Sequence, residues 1–252
     1  KEIYAKCEEA GDIVVNARLL ADILRRMNGL QVTIEADDKL NCHIKCGETT
    51  FDIMGMAAED FPEMPTVGSD KTIVIDADIF SEMVKGTIFA VAQNEGAKPI
   101  LTGIYVTIED RILRFVAIDG YRLAIRRHNI DIEGSFSFIL SGRAVGEAVK
   151  LIDEETENVE ISFGDRLVSF NISGYSFISR LLEGEFVNYQ KTIPAEHRQR
   201  VVVNTRELTN TIERVSLLIS ESFSTPIRCY FNELNVVYTC AQLPESMCRL
   251  YL

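Results

Sequence analysis

Two hydrophobic periods alternate along this chain. Leu40-Asn41-Cys42-His43-Ile44-Lys45-Cys46 switches between apolar and polar at almost every step, the signature of a strand with one buried face. Leu19-Leu20-Ala21-Asp22-Ile23-Leu24 and Ala144-Val145-Gly146-Glu147-Ala148-Val149 instead return to apolar residues at steps of three and four, which predicts amphipathic helices. Asp76 and Asn204 each stand between a short strand-like run and a helical one, so both are predicted N-caps whose side chains accept from free backbone N–H groups. Between the strand-like runs Phe115–Ile118 and Leu123–Ala124 lies Asp119-Gly120, a dipeptide that readily supplies the positive φ angles of a tight two-residue hairpin turn.

These patterns repeat. Val32–Leu40 has the same order of residue types as Val159–Leu167, Gly47 answers Gly174, Phe61-Pro62 answers Phe186-Val187, and Leu19–Leu24 answers Ala144–Val149. A second, different pair joins Val74–Phe89 to Val202–Leu217. The chain therefore reads as the second half of a unit over residues 1–65, a complete unit over 66–194, and the first half of another over 195–252. Pro62, Pro65 and Gly68 mark one junction and Pro194–His197 the other. Strand, helix and several strands in each half predict an α+β fold of repeated modules, each with two helices packed on antiparallel sheet. Beginning and ending in mid-repeat, the sequence is expected to be a fragment of a longer protein with three units.

With 252 residues and 46% hydrophobic content, the chain can bury a substantial core. No apolar run reaches the roughly 18 residues of a membrane helix, and Lys1-Glu2-Ile3-Tyr4 lacks a signal-peptide layout, so a cytoplasmic protein without a membrane partner is expected. Its six cysteines lack the paired spacing of a zinc site, and the Cys42–Cys46 run is simpler as a strand than as a metal site. Neither metal nor cofactor is predicted. His43, His128 and His197 have no nucleophile pattern beside them, and no glycine loop cradles phosphate, so no catalytic residue is expected. An enzyme built on carboxylates such as Asp119 and Glu183 is the weaker alternative.

Net charge is −12, which opposes nucleic-acid binding unless the basic residues are concentrated on one face. They do gather on helical stretches: Arg18, Arg25 and Arg26, then Lys85, then Arg143 and Lys150, then Arg206 and Arg214. Ordinary solvated helix faces with pairs such as Asp22 to Arg26 would explain the same distribution. No aromatic residues interleave with these cations. Any DNA contact should therefore run through the duplex backbone, without base stacking or sequence reading.

In order and spacing, several segments resemble the bacterial DNA polymerase III β subunit, the sliding-clamp family. Gly11–Val15, Phe51-Asp52-Ile53 and Phe61-Pro62 look like the second half of its first domain. Phe80–Phe89, Pro99–Gly103, Asp119–Ala124, Ser179–Phe186 and Tyr189 look like its second domain, and Arg214–Leu218 opens the third. The resemblance implies a ring of such domains around double-stranded DNA, a homodimer in the full-length protein, loading by a clamp loader, and tethering of the replicative polymerase and other clamp-binding-motif proteins. It implies a partner-peptide pocket walled by Leu101, Ile118, Gly120, Tyr121, Arg122 and Leu123, with Val187, Lys191 and Thr192 at its floor. It also implies DNA-facing residues Arg25, Arg26, Gln93, Asn94 and Lys98, and a dimer interface of Phe51 and Ile53 against Leu217 and Leu218. Val187 stands where the family usually has proline, and Thr239–Leu252 departs from the family pattern. A clamp-like peptide-binding module that does not close a ring is the alternative.

Overall fold

The computed structural model describes residues 5–67, 71–93, 96–196, 200–217, 227–231, 236–241 and 247–251. Two compact units divide the chain, Lys1–Tyr189 and Gln190–Leu252.

The first unit opens with α1 (Ala17–Arg26) and the antiparallel strands β1 (Thr33–Ala36), β2 (Asn41–Cys46) and β3 (Thr49–Met54). Asn16 caps α1 by accepting from the Leu19 N–H. The alternation read in the sequence is realised on β2, where Cys42, Ile44 and Cys46 are buried and His43 and Lys45 face out. Ile23 of α1 meets Cys42, Ile44 and Ile53 in a small core, with Ile13, Val15 and Leu20 packed around it.

The next strand, β4 (Thr72–Asp76), leads into α2 (Ala77–Lys85) and four strands, β5 (Gly103–Glu109), β6 (Ile112–Ile118), β7 (Leu123–Asn129) and β8 (Phe136–Ser141). Then α3 (Gly142–Lys150) precedes β9 (Asn158–Phe163), β10 (Leu167–Ile172) and β11 (Tyr175–Arg180), so the order α1-β1-β2-β3 recurs as α3-β9-β10-β11. Two four-stranded sheets result, ordered β11-β10-β9-β4 and β7-β6-β5-β8. The predicted α+β module is thus present, with α2 packed against α3. Asp76 caps α2 as expected, its carboxylate accepting from the Asp78 and Ile79 N–H groups.

Phe80 ties the module together. Fully buried on α2, it stands edge-on to Phe115 of β6 at 6.2 Å and tilted against Phe170 of β10 at 6.0 Å, touching one residue from each sheet. The tight turns follow the chemistry of positive φ. Asp110-Arg111 (φ 53° and 58°) joins β5 to β6, and Ser173-Gly174 (φ 46° and 73°) joins β10 to β11. The first of these was not singled out in the sequence, because arginine is not a residue normally associated with that conformation.

In the second unit, Asn204 caps α4 (Thr205–Ser216), as predicted, through the Glu207 N–H. The strand expected before it does not form. Val201–Asn204 has no ladder partner among the described residues, whereas its counterpart β4 is held by β9. Three antiparallel strands follow, β12 (Arg228–Phe231), β13 (Val236–Ala241) and β14 (Met247–Tyr251), so the unfamiliar tail sequence still supplies strand pairing.

Candidate functional site

The β6–β7 hairpin forms, but its turn is not the one predicted. Ile118 pairs with Leu123, and four residues lie between them. Within this turn Gly120 alone has positive φ, 93°, and the Asp119 N–H donates to the Arg122 carbonyl at 3.3 Å, so the central pair is Gly120-Tyr121. Asp119 contributes through its side chain instead. Its Oδ1 accepts from the Tyr121 and Arg122 N–H groups at 2.9 and 2.8 Å, an Asx-type closure that fixes the turn without requiring positive φ at Asp119.

The other carboxylate oxygen organises a cation. Oδ2 accepts from Arg122 Nε at 2.9 Å and Nη2 at 2.8 Å. Asp119 is 11% exposed in its side chain and Arg122 is 58% exposed, so the anion lies beneath and the guanidinium stands in solvent. Two backbone donors, with Arg122 behind them, hold the Asp119 carboxyl down at about 2. Such a group is a poor proton acceptor at neutral pH, and Glu183 is an exposed carboxylate 3.9 Å from Arg166. The Asp119 carboxyl therefore lacks the raised pKa that acid–base chemistry at neutral pH favours.

Around the hairpin, the predicted wall residues are half-buried or exposed. Ile118 and Leu123 are half-buried as a cross-strand pair; Gly120 and Arg122 are exposed, and Tyr121 is 94% exposed. Leu101 is half-buried in a short 3-10 turn, Pro99–Thr102, where its carbonyl accepts from the Ala92 N–H at 2.8 Å. Val187 lies half-buried on the segment after β11. That segment is pinned by Leu182 N–H donating to the Ile139 carbonyl at 2.9 Å and by Phe186 stacked on Tyr105, centroids 4.7 Å apart and planes 10° apart. Lys191 and Thr192 are exposed members of the second unit.

Two groups escaped sequence reasoning. The Tyr105–Phe186 stack joins residues far apart in the chain, so no local pattern announces it. Asp119 was read as a backbone turn residue; the signal that could have revealed its second role is the three-residue spacing to Arg122, which a compact turn brings within ion-pair reach.

Among the cations, Arg18, Arg25, Arg26, Lys85, Arg143, Lys150, Arg206 and Arg214 are all exposed on their helices. The four helices carry eight basic and six acidic residues, a slight positive balance on a chain of net charge −12. The bias is uneven, because α2 carries Asp78 and Glu82 against Lys85 alone. Asp22 pairs with Arg25 at 3.6 Å rather than with Arg26, a one-turn i,i+3 contact in place of the expected i,i+4 one. Gln93 and Lys98 are exposed, and Asn94 lies outside the described residues.

Ile53 sits in the small α1 core, while Phe51, on the same face of β3, remains 38% exposed. Leu217 is 84% exposed; Leu218 lies outside the described residues. On the opposite face of that sheet, His43 Nδ1 pairs with Asp52 at 2.5 Å, which with nearby Asp37 and Glu35 raises the imidazole above its ordinary value. Alternation along β2 sends the two cysteine side chains to one face and His43 to the other. No group of three or more His, Cys, Asp or Glu residues is placed to hold a metal among the described residues, and no helix there is long and apolar enough to cross a membrane.

Comparison with known proteins completes the picture. The family model of the DNA polymerase III beta subunit, N-terminal domain, matches residues 1–65, and that of its central domain matches residues 74–188. The beta sliding clamp of Bacillus subtilis (strain 168) is 30% identical over 247 residues, 97% of this chain and 65% of the relative. That of Staphylococcus aureus (strain N315) is 28% identical over 245 residues, 97% of this chain and 64% of the relative. The crystal structure of the Bacillus subtilis DNA polymerase sliding clamp matches with a TM-score of 0.90 at 28% identity, covering 97% of this chain and 65% of that one. The chain thus spans just under two thirds of these relatives' length. With two successive domain models, the fold and the sequence all in agreement, this chain belongs to the DNA polymerase III beta subunit family of bacterial sliding clamps.

Proposed function

We infer that this chain is part of a DNA polymerase processivity factor, a clamp that encircles double-stranded DNA without sequence preference. It tethers the replicative polymerase and other proteins with clamp-binding motifs through a hydrophobic peptide pocket. The observation that carries the reading is the succession of the family's N-terminal and central domain models along one chain. In this reading residues 1–65 are the second half of a first clamp domain, 66–194 a complete second domain and 195–252 part of a third.

Such a protein needs no chemistry and no cofactor. It acts by holding its partner near the template, turning repeated bimolecular encounters into a high effective concentration. Exposed Arg25 and Arg26 at the end of α1 suit contact with phosphates, with Gln93, Asn94 and Lys98 as further DNA-facing residues. Leu101, Ile118, Leu123 and Val187 offer apolar surface to Leu and Phe anchors, Gly120 and Tyr121 border it, and Arg122 donates to main-chain carbonyls. Phe51 and Ile53 meet the partner's Leu217 and Leu218 in a head-to-tail homodimer. A clamp loader opens the ring, and the protein works in the cytoplasm.

Sedimentation velocity over a range of concentrations tests the ring. A concentration-dependent dimer, shifted toward monomer by Phe51→Arg, is the expected result. A folded monomer at every concentration would remove ring closure for this chain and leave a peptide-binding module.

A further inference from the structure

We propose that Asp119 is a positioning residue of the peptide site, which neutralises Arg122 and fixes its guanidinium so that the free edge takes a neutral main-chain carbonyl in preference to a carboxylate. The proposal rests on the peptide-pocket reading above and assigns a role to a residue that does not itself touch the ligand.

A guanidinium has five N–H donors and no acceptor. Asp119 Oδ2 receives Nε–H and one Nη2 proton, at 2.9 and 2.8 Å, which leaves the Nη1 edge and the second Nη2 proton. With the Arg122 side chain 58% exposed, those donors point away from a carboxylate that is itself 11% exposed. The carboxylate is saturated as well, because Oδ1 takes the Tyr121 and Arg122 N–H groups. Asp119 therefore has no vacancy for a ligand and no freedom to swing aside.

Two consequences follow. First, the long Arg122 side chain is ordered before any peptide arrives, so binding loses less conformational entropy than with a free arginine. Second, one negative and one positive charge cancel within 3 Å, so an approaching ligand meets oriented dipolar donors with little net field. Strong donors with little net charge match a peptide carbonyl. A carboxylate would lose its hydration and find the cation already compensated. No other acceptor competes for Arg122 among the described hydrogen bonds and ion pairs.

The test uses fluorescence anisotropy with two labelled peptides carrying the same Leu and Phe anchors, one neutral and one with added Asp residues. Wild type is compared with Asp119→Asn, which keeps an Oδ1 acceptor for the turn and removes the charge, and with Asp119→Glu, which keeps the charge on a longer arm. Wild type should favour the neutral peptide, with affinity nearly flat in salt. Asp119→Asn should bind it about three- to tenfold more weakly, the scale expected for one side chain that must be ordered on binding. It should also gain affinity for the acidic peptide at low salt and lose that gain as salt rises.

A purely structural role for Asp119 would weaken both peptides equally and leave the salt response unchanged, and that result overturns the proposal. So would unchanged binding in Asp119→Asn. If wild type, folded by circular dichroism, binds neither peptide, the pocket reading itself fails, which is distinguishable because no variant comparison then exists. A variant that fails to fold is replaced by Asp119→Glu, for which weaker neutral-peptide binding without the salt response is expected. Equal binding by that variant counts against the proposal.

Discussion

Phe80→Ala is the perturbation whose size the structure defines most closely. The ring is 0% exposed and rests against Phe115 at 6.2 Å and Phe170 at 6.0 Å, residues of two different sheets. Truncating a buried phenylalanine to alanine costs about 3–5 kcal/mol, combining lost transfer energy with the cavity left behind. Two ring pairs, each contributing about 0.5–1.5 kcal/mol beyond their buried area, place this site in the upper part of that range. A loss of about 4–5 kcal/mol is a large fraction of the roughly 5–15 kcal/mol that holds a typical domain together. Urea unfolding followed by far-ultraviolet circular dichroism measures it, since the chain has no tryptophan to report by fluorescence. Tyr121→Ala, at a residue 94% exposed, is the control and should stay within about 0.5 kcal/mol of wild type. A loss below about 1.5 kcal/mol for Phe80→Ala, less than half the smallest value ordinarily seen for such truncations, would refute the view that this ring joins the two sheets.

Two further predictions concern charge. The Asp119 carboxyl should titrate at about 2 by carbon-detected NMR, well below the ordinary carboxylate range; its folded value is depressed, so its stabilising contribution is present above the unfolded value of about 3.9 and is lost as pH falls toward 2. A midpoint near the ordinary value would mean the hairpin contacts do not hold in solution. His43 behaves in the opposite sense: its folded value is raised, chiefly by its bond to Asp52, so its contribution is complete below about pH 6.5 and lost as pH rises through the higher folded value. Asp52→Asn should flatten the stability change above about pH 6.5, and an unchanged slope would count against the pairing.

Much of this architecture could be read directly from the chain because it rests on local rules. Alternation placed Cys42, Ile44 and Cys46 inside and His43 outside, and the polar residues Asp76 and Asn204 mark the starts of α2 and α4. The internal repeat was equally visible, since α1-β1-β2-β3 and α3-β9-β10-β11 use the same patterns. Features that depend on distant partners were not legible. Val201–Asn204 has the residues of a strand, but strand formation requires a neighbour to receive its ladder bonds, and none is present among the described residues. The turn at Asp119 was displaced by one residue because a side-chain acceptor can replace a backbone one, which a reading of backbone propensity alone does not weigh. Half-buried residues such as Ile118 and Leu123 look like any core pair in sequence, and only the family likeness groups them with Leu101 and Val187.

The most direct measurement is fluorescence anisotropy of a labelled peptide with Leu and Phe anchors, titrated with wild type, Arg122→Ala and Leu123→Ser. Saturable binding by wild type is expected, with its loss in both variants, each shown to be folded. Binding that survives both substitutions would contradict the assignment of the partner site to this hairpin, and absence of binding by the folded wild type would contradict the tethering role itself.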